Sequence, residues 1–258
     1  MYKNKEGFQI DISGLNKNYG SKKVLNNLNI TIEAGDFVAI VGRSGSGKST
    51  LLRMISGLDS FDSGSMKVEG NEVSGVDKNV RVLFQEANLI PWRNIIKNVI
   101  LGTTGKSEAA AAQILEKVGL INKKYAWPKV LTEGERQRVS LARALAGKPK
   151  VLLLDEPLGT LDSLTKLDIQ SLIEKLWLEL GFTAVLVTRD VSEAVRLANR
   201  VIILDDNSIT IDLQITLPRP RIKDNDADFF EQYIFNKLME KDKVQVELSK
   251  LEYVNLRR

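Results

Sequence analysis

The sequence predicts an α/β protein built on a mostly parallel β-sheet with crossover helices. Short runs rich in β-branched residues alternate with stretches of helical periodicity, which is the pattern of such a sheet. The run 37–41 (FVAIV) is apolar throughout, as in a strand buried on both faces, and a glycine-rich turn follows it directly. A chain of 258 residues is long enough for one such domain with a sub-domain inserted into it.

The individual elements follow from local patterns along the chain. Apolar runs or partial alternation predict strands at 8–14, 24–32, 37–41, 80–84, 151–154, 183–187 and 201–204. Helical spacing predicts helices at 51–58 and 135–147, one ending at 180, one at 191–198, and a short appended helix at about 229–239. The stretch 61–65 (FDSGS) has the composition of a turn.

A change of pattern between 88 and 134 marks an insertion. No β-like run occurs there, and several apolar residues fall at helical spacing, namely Ala109, Ala110, Ile114, Leu115 and Val118. We therefore predict that 88–134 forms a helical sub-domain inserted into the α/β core.

Composition excludes several kinds of chemistry. The chain has no cysteine and no histidine, which excludes disulfides, thiolate metal sites and imidazole acid–base catalysis. Its net charge is only +4, with acidic and basic residues interleaved, so the basic stripe of a nucleic-acid-binding protein is missing. There is no signal-peptide core and no apolar stretch near the roughly 18–20 residues that span a bilayer. We expect a cytosolic or peripheral protein, for which any membrane role needs a partner.

The turn after the 37–41 strand has the spacing G-x-x-x-x-G-K-[ST] of a phosphate-binding loop. The residues expected to bind nucleotide are Gly42, Arg43, Ser44, Gly45, Ser46, Gly47, Lys48, Ser49 and Thr50. Glycines let successive backbone N–H groups face one anion, and the following helix adds its positive end. Lys48 would contact the outer phosphates and Ser49 would bind Mg²⁺. An ordinary Gly/Ser turn is the alternative, and the flanking strand and helix disfavour it.

An acidic pair ends the strand at 151–154. Asp155 and Glu156 follow VLLL at the carboxyl edge of the sheet, where ligands bind in open α/β folds. Asp155 would hold the Mg²⁺ shell, and Glu156 would accept a proton from the attacking water. A solvated acidic turn is the alternative, and the phosphate loop favours the functional interpretation.

Four further motifs resemble those of ABC transporter ATPases. They are FQEANLIPW at 84–92, LTEGERQRVSLARAL at 131–145, LLLDEPLGTLD at 152–162 and VLVTRDVSEAV at 185–195. The resemblance covers 8–220 and implies a P-loop NTPase of the ABC cassette type, with an N-terminal antiparallel β sub-domain, the helical insertion and a C-terminal helical extension over 221–258. LIPWRNIIKNV, Trp127-Pro128 and LPRPR resemble the nitrate, sulfonate and taurine import branch, above all the ATPases that import aliphatic sulfonates.

The resemblance also implies roles for single residues. Tyr19 would stack on adenine, although a tyrosine at a strand edge is common. Gln85 would bind Mg²⁺ and the attacking water and link them to the helical insertion. Thr132 and Gly134 would contact a phosphate of a second subunit, and Asp162 would cross to that subunit or cap the next helix.

The implied assembly is an ATP-sandwiched dimer of this chain on the cytoplasmic face of the cell membrane. The dimer would dock as the peripheral ATPase on two membrane-spanning permease subunits. These would receive solute from an extracellular or periplasmic solute-binding protein. No nucleic acid is expected among its partners.

The family's signature reads Leu-Ser-Gly-Gly-Gln, whereas this chain has LTEGE at 131–135. Thr132 keeps a hydroxyl and Gly134 keeps the glycine, while Glu133 and Glu135 add carboxylates. A carboxylate about 4 Å from a γ-phosphate would cost about 1 to 4 kcal/mol and weaken ATP-driven closure about tenfold or more. This penalty vanishes where Glu133 points to water.

Arg189 stands where the family's switch histidine is found. Arginine also bridges a γ-phosphate with two donors, but it cannot accept a hydrogen bond from the attacking water. We therefore predict a functional but slow ATPase. Since the chain holds no histidine at all, a general loss of that residue also accounts for Arg189.

Three functions remain open at this point. The first is the ATPase of an importer of aliphatic sulfonates, with taurine or nitrate as alternative solutes. The second is a nucleotide-binding subunit of the same transporter class that hardly hydrolyses ATP. The third is a soluble ABC ATPase of DNA repair or translation, which the single cassette without a heptad insertion disfavours.

Overall fold

The computed structural model describes residues 6–221 and 224–239. The strands are β1 (Ile10–Tyr19), β2 (Lys22–Ile32), β3 (Phe37–Val41), β4 (Ser63–Val68), β5 (Asn71–Glu72), β6 (Val80–Leu83), β7 (Val151–Asp155), β8 (Thr183–Thr188), β9 (Arg200–Asp205) and β10 (Ser208–Gln214). The helices are α1 (Lys48–Ile55), α2 (Ile95–Ile100), α3 (Glu108–Lys117), α4 (Glu133–Leu145), α5 (Ser163–Leu180) and α6 (Val191–Leu197). A C-terminal helix is described over 225–239.

The strands form two sheets. An antiparallel sheet has the order β2-β1-β4-β5, and a six-stranded sheet has the order β10-β9-β3-β8-β7-β6. The six-stranded sheet is parallel except for β10, which pairs antiparallel with β9. The predicted mixture of a mostly parallel sheet and an N-terminal antiparallel one is confirmed.

The parallel sheet has a hydrophobic core on each face, because successive side chains of a strand point to opposite sides. Phe37 and Val41 of β3 pack with the helices α4 to α6. Val38 and Ile40 of the same strand pack with α1 and the antiparallel sheet. This explains why all of 37–41 is apolar and lies fully buried.

Three strands are missing from the sequence predictions, namely β4, the two-residue β5 that pairs with it, and β10. The turn predicted at 61–65 is wrong in part, since β4 begins at Ser63 and pairs with β1, burying Met66 and Val68. No strand is predicted after 201–204, yet β10 closes the edge of the parallel sheet. The remaining predicted strands and helices are present, with ends that shift by a few residues.

The segment predicted as a helical insertion contains α2, α3 and short 3-10 turns, the last of them at Pro128–Val130. No strand occurs between β6 and β7 in the described chain, and α4 begins at Glu133, two residues before the predicted helix. The division into domains stays a prediction. Of the expected extension over 221–258, residues 222–223 and 240–258 lie outside the described residues. Within those described, no helix is both long and apolar enough to cross a bilayer.

Candidate active site

Parallel neighbouring strands bring most of the predicted site residues to one edge of the sheet. Val41 of β3 lies opposite Thr188 of β8, and Asp155 of β7 lies opposite Val187. The strands β6, β7, β8 and β3 all run in the same direction, so the segments that leave their carboxyl ends meet. The phosphate loop, the acidic pair and the residues after β6 and β8 therefore share this edge.

The phosphate loop requires glycine at defined positions. Gly45 and Gly47 have φ values of 82° and 99°, which L side chains rarely adopt. A Cβ on Gly42 would lie 2.1 Å from the backbone oxygen of Leu204, so this glycine is needed for close packing as well. The loop backbone is thus curled as a phosphate cradle requires, and α1 begins directly behind it at Lys48.

Lys48 is a buried cation held by the loop itself. Its side chain is 4% exposed, and its Nζ donates to the backbone oxygens of Gly42 and Arg43 at 2.8 and 2.7 Å. Burial lowers the pKa of Lys48, while the nearby carboxylate of Glu156 acts in the opposite direction. A desolvated ammonium at the first residue of a helix is suited to bind an anion.

Ser49 and Asp155 form the oxygen pair expected for a metal ion. The hydroxyl of Ser49 donates to Oδ1 of Asp155 at 2.9 Å, which joins the start of α1 to the end of β7. Burial raises the pKa of Asp155, and the adjacent Glu156 adds to this rise. A hydroxyl and a partly buried carboxylate are hard oxygen ligands that fit Mg²⁺, so the residues present suit the cofactor.

Glu156 is paired with Arg189. The Nε of Arg189 donates to Oε1 of Glu156 at 2.8 Å, and the carboxylate raises the pKa of Arg189. Glu156 adopts a φ of 45°, an uncommon conformation for a non-glycine residue that often marks a functional position. The structure thus places the residue at the histidine position directly against the expected catalytic base.

Gln85 lies on the exposed side of this edge, two residues beyond β6. A Cβ added to Gly159 would lie 3.3 Å from its Nε2, so Gln85 is next to the loop that follows the acidic pair. Gly159 in turn donates its N–H to the backbone oxygen of Glu156 at 3.2 Å. The segment 157–162 is therefore next to both Gln85 and the acidic pair.

Tyr19 lies at the margin of the site. It is the last residue of β1, half exposed, and its hydroxyl donates to the carboxylate of Asp59. This hydrogen bond raises the pKa of Tyr19. The Nζ of Lys17 lies 4.9 Å from the ring centroid, so the ring already carries one cation–π contact.

The altered signature forms a capped helix start. Thr132 is the N-cap of α4: its hydroxyl accepts from the N–H of Glu135, whose side chain accepts from the N–H of Thr132 in return. Gly134 is buried, and a Cβ there would lie 2.4 Å from a methyl of Thr165. Glu135 thus has a structural role, and Gly134 is required by packing within one subunit.

Asp162 caps α5. Its Oδ1 accepts from the N–H groups of Leu164 and Thr165, both at 3.1 Å, and the hydrogen bonds from Thr165 lower its pKa. The expected capping role is confirmed. Crossing to a second subunit stays a prediction.

Two relationships have no counterpart in the sequence patterns. Arg43 donates from Nη2 to the backbone oxygen of Leu238 at 2.8 Å, so the C-terminal helix reaches the phosphate loop. Glu193 in α6 is buried, and burial raises its pKa to about 7. The first contact joins distant segments, and the local sequence does not distinguish Glu193 from an exposed glutamate, so neither has a short-range signal.

With this geometry in place, comparison with known proteins decides the family. Residues 25–159 match the family described as ABC transporter. The chain belongs to the ABC transporter family. Relatives named aliphatic sulfonates import ATP-binding protein SsuB include that of Zymomonas mobilis, 53% identical over 91% of this chain and 98% of that protein. The protein of that name from Ralstonia nicotianae is 50% identical over 91% and 83% of the two chains.

Solved ABC cassettes share the fold. A dimeric cassette in a post-hydrolysis state bound to ADP and Pi aligns with a TM-score of 0.70 and 31% identity, covering 81% of this chain and all of that one. A dimeric bacterial ABC transporter cassette aligns with a TM-score of 0.71 and 33% identity over the same shares. The expected ABC cassette of the P-loop class is confirmed.

Proposed function

We propose that the chain is the Mg²⁺-dependent ATPase subunit of an ABC importer that takes up aliphatic sulfonates. The observation that carries the proposal is the meeting of buried Lys48, the Ser49–Asp155 pair and Glu156 at one sheet edge. ATP hydrolysis needs a cation for the phosphates, oxygen ligands for a metal and a base for water, and this edge supplies all three.

The nucleotide would bind along the phosphate loop. Lys48 and the loop amides would hold the outer phosphates, and Tyr19 would stack on the adenine. Ser49, Asp155 and Gln85 would hold Mg²⁺, which would neutralise charge on the phosphates. The curled loop and the desolvated ammonium support this placement.

Glu156 would accept the proton of the attacking water, and Gln85 would orient that water. Arg189 has a double effect in this scheme. Its guanidinium would stabilise charge on the γ-phosphate, but its hydrogen bond occupies Oε1 of Glu156, the carboxylate that would accept the proton. The arrangement supports hydrolysis at a reduced rate.

A second copy of the chain would complete each site. Thr132, Gly134 and Asp162 would face the nucleotide of the partner subunit. The dimeric cassettes that this chain resembles support such an assembly. In the monomer, Ser44 and Gly45 of the phosphate loop are exposed, so a partner subunit could cover them.

Permease subunits would dock on the helical segment after β6. Trp92, Tyr125 and Trp127 are 76%, 63% and 48% exposed there, which is unusual for large aromatic side chains on one segment. The N–H of Ile95 donates to the backbone oxygen of Ala126, so these aromatics belong to neighbouring stretches. The subunit would thereby be held at the cytoplasmic face of the membrane, and a solute-binding protein would deliver solute outside.

The sulfonate assignment rests on the relatives, since an ATPase subunit does not touch the solute. Deletion of the gene should abolish growth on alkanesulfonates as sole sulfur source and leave growth on sulfate intact. Growth on alkanesulfonates that is unaffected by the deletion would exclude this solute class, and growth tests with taurine and nitrate would cover the alternatives.

The ATPase itself is tested on the purified chain. Phosphate release should require Mg²⁺ and should be lost in Lys48→Ala, which should also fail to bind fluorescent ATP. Lys67→Ala, a half-exposed lysine on β4, is the matched control and should behave as the unaltered protein. Equal nucleotide affinity of Lys48→Ala and Lys67→Ala would refute the proposal.

A second candidate is a subunit that binds ATP but hardly hydrolyses it. The Glu156–Arg189 ion pair favours it, because the expected base is already engaged. Mg²⁺-dependent phosphate release by the homodimer alone would exclude it.

A further inference from the structure

The altered signature residue Glu133 has a specific partner. As the first residue of α4, it accepts a hydrogen bond at Oε1 from the hydroxyl of Thr160 at 2.8 Å. Its other oxygen lies 4.0 Å from Nη2 of Arg136 on the same helix. Both oxygens of the carboxylate are thereby directed to groups of its own subunit.

Thr160 belongs to the loop 157–162 that joins the acidic end of β7 to α5. This loop is fixed at both ends: Gly159 donates to the backbone oxygen of Glu156, and Asp162 caps α5 through two N–H groups. Gln85 is adjacent at Gly159. The loop therefore holds Thr160 and its hydroxyl in a defined position.

The start of α4 also contacts the helix that follows this loop. Gly134 packs against the methyl of Thr165 in the first turn of α5. The helix end that would face a partner's phosphate is thus joined to the loop that leaves the subunit's own catalytic base. One of these two contacts is the packing of Gly134 on Thr165, and the other is the hydrogen bond between Glu133 and Thr160.

We propose that Thr160 is a positioning residue whose hydroxyl holds the Glu133 carboxylate away from the anion received by the N-terminus of α4. The inference rests on the proposed function, in which that anion is the γ-phosphate on a second copy of the chain. Without the hydroxyl, the carboxylate is free to turn toward the helix axis, where a helix N-terminus attracts negative charge. There it repels the phosphate.

The test measures ATP-driven dimerisation by analytical ultracentrifugation in a Glu156→Gln background, where slow hydrolysis lets the dimer accumulate. Thr160→Val should raise the dimer dissociation constant about tenfold, as expected for one added like-charge contact near a surface. Thr160→Ser keeps the hydroxyl and should leave the constant unchanged. Glu133→Gln should dimerise at least as tightly as the reference.

The decisive measurement is the double variant. If Thr160 acts through the Glu133 charge, Thr160→Val should have no effect once Glu133→Gln is present. An equal weakening in both backgrounds, or no weakening in either, overturns the inference. So does a reference protein that never dimerises with ATP.

Nucleotide binding by the monomer separates this inference from the proposed function. Thr160→Val should leave the affinity for fluorescent ATP unchanged, since Thr160 is exposed and lies outside the phosphate loop. ATP binding that depends on Lys48, together with failure of the dimerisation test, would overturn the role of Thr160 and leave the nucleotide site standing.

Discussion

Arg189 donates a hydrogen bond from Nε to Oε1 of Glu156 across 2.8 Å. This hydrogen bond occupies an oxygen of the carboxylate that is expected to accept the proton of the attacking water. Replacing Arg189 by histidine, which is mostly neutral near pH 7.5, should free the carboxylate and provide an acceptor for the attacking water. We expect Arg189→His to raise kcat about three- to tenfold, measured as phosphate release at saturating ATP.

The control for this change is Arg138→His, at an arginine on α4 that is 4.0 Å from Asp168 and outside the site. Its turnover should equal that of the unaltered protein. Unchanged or lower turnover of Arg189→His would show that the site has adapted to arginine, and that the loss of histidine has no catalytic meaning.

Ser49 should act through the metal ion. Its hydroxyl contacts Asp155 at 2.9 Å, and both are suited to bind Mg²⁺. Ser49→Ala should raise the Mg²⁺ concentration for half-maximal ATPase activity about tenfold, as loss of one ligand implies. ATP affinity in the presence of EDTA should change little. Ser171→Ala on α5 is the control, and an unchanged Mg²⁺ requirement of Ser49→Ala would remove Ser49 from the metal site.

Glu193 should make stability depend on pH. Burial raises its folded-state pKa to about 7 from the ordinary 4.5, so folding favours the protonated form. Its stabilising contribution is full below pH 4.5 and is lost as pH rises through 7. The difference of 2.5 pH units corresponds to about 3 kcal/mol in the free energy of unfolding.

Glu193→Gln keeps the shape and removes the titration. Urea unfolding should therefore show that the variant gains stability over the unaltered protein between pH 5 and pH 8. Glu72→Gln, at an exposed position on β5, should keep the original pH slope. Identical slopes for Glu193→Gln and the unaltered protein would show that Glu193 does not titrate in this range.

The candidate site at the carboxyl edge of the parallel sheet could be predicted from the sequence because each part has its own local signal. The apolar run before Gly42 and the one before Asp155 predict two buried parallel strands. The carboxyl ends of parallel strands meet at one edge of the sheet, here with β8 between the two. The strand β10 also carries a signal, since Ile209, Ile211 and Leu213 alternate with polar residues. That alternation would have revealed it.

Other features could not be predicted because they depend on tertiary contacts. The strand β4 opens with Ser-Gly-Ser, and only its pairing with β1 makes it a strand. The bond between Glu133 and Thr160 spans 27 residues, and no local pattern records it. Comparing LTEGE with the family's signature does not show where the Glu133 carboxylate points. The structure shows that it is bonded to Thr160.

Trp92 should matter for docking and not for hydrolysis. Trp92 is 76% exposed and lies seven residues after Gln85 in the chain. Its removal therefore exposes no core residue and leaves the phosphate loop unchanged. Trp92→Ala should weaken co-purification with the permease subunits by tenfold or more, as expected for an aromatic anchor worth about 2 kcal/mol. The ATPase rate of the isolated chain should stay unchanged. Co-purification at the original level would place the permease elsewhere.

Gly134 should resist replacement for a reason that lies within one subunit. A Cβ at this position would lie 2.4 Å from the Cγ2 methyl of Thr165. Alanine gains up to about 1 kcal/mol in helix propensity, but overpacking costs about 1 to 3 kcal/mol, so we expect a net loss of stability. Removing the methyl by Thr165→Ser should restore the stability of Gly134→Ala in urea unfolding, because the hydroxyl and the N–H bonded to Asp162 remain. A double variant as unstable as Gly134→Ala would mean that the contact with Thr165 is not the cause.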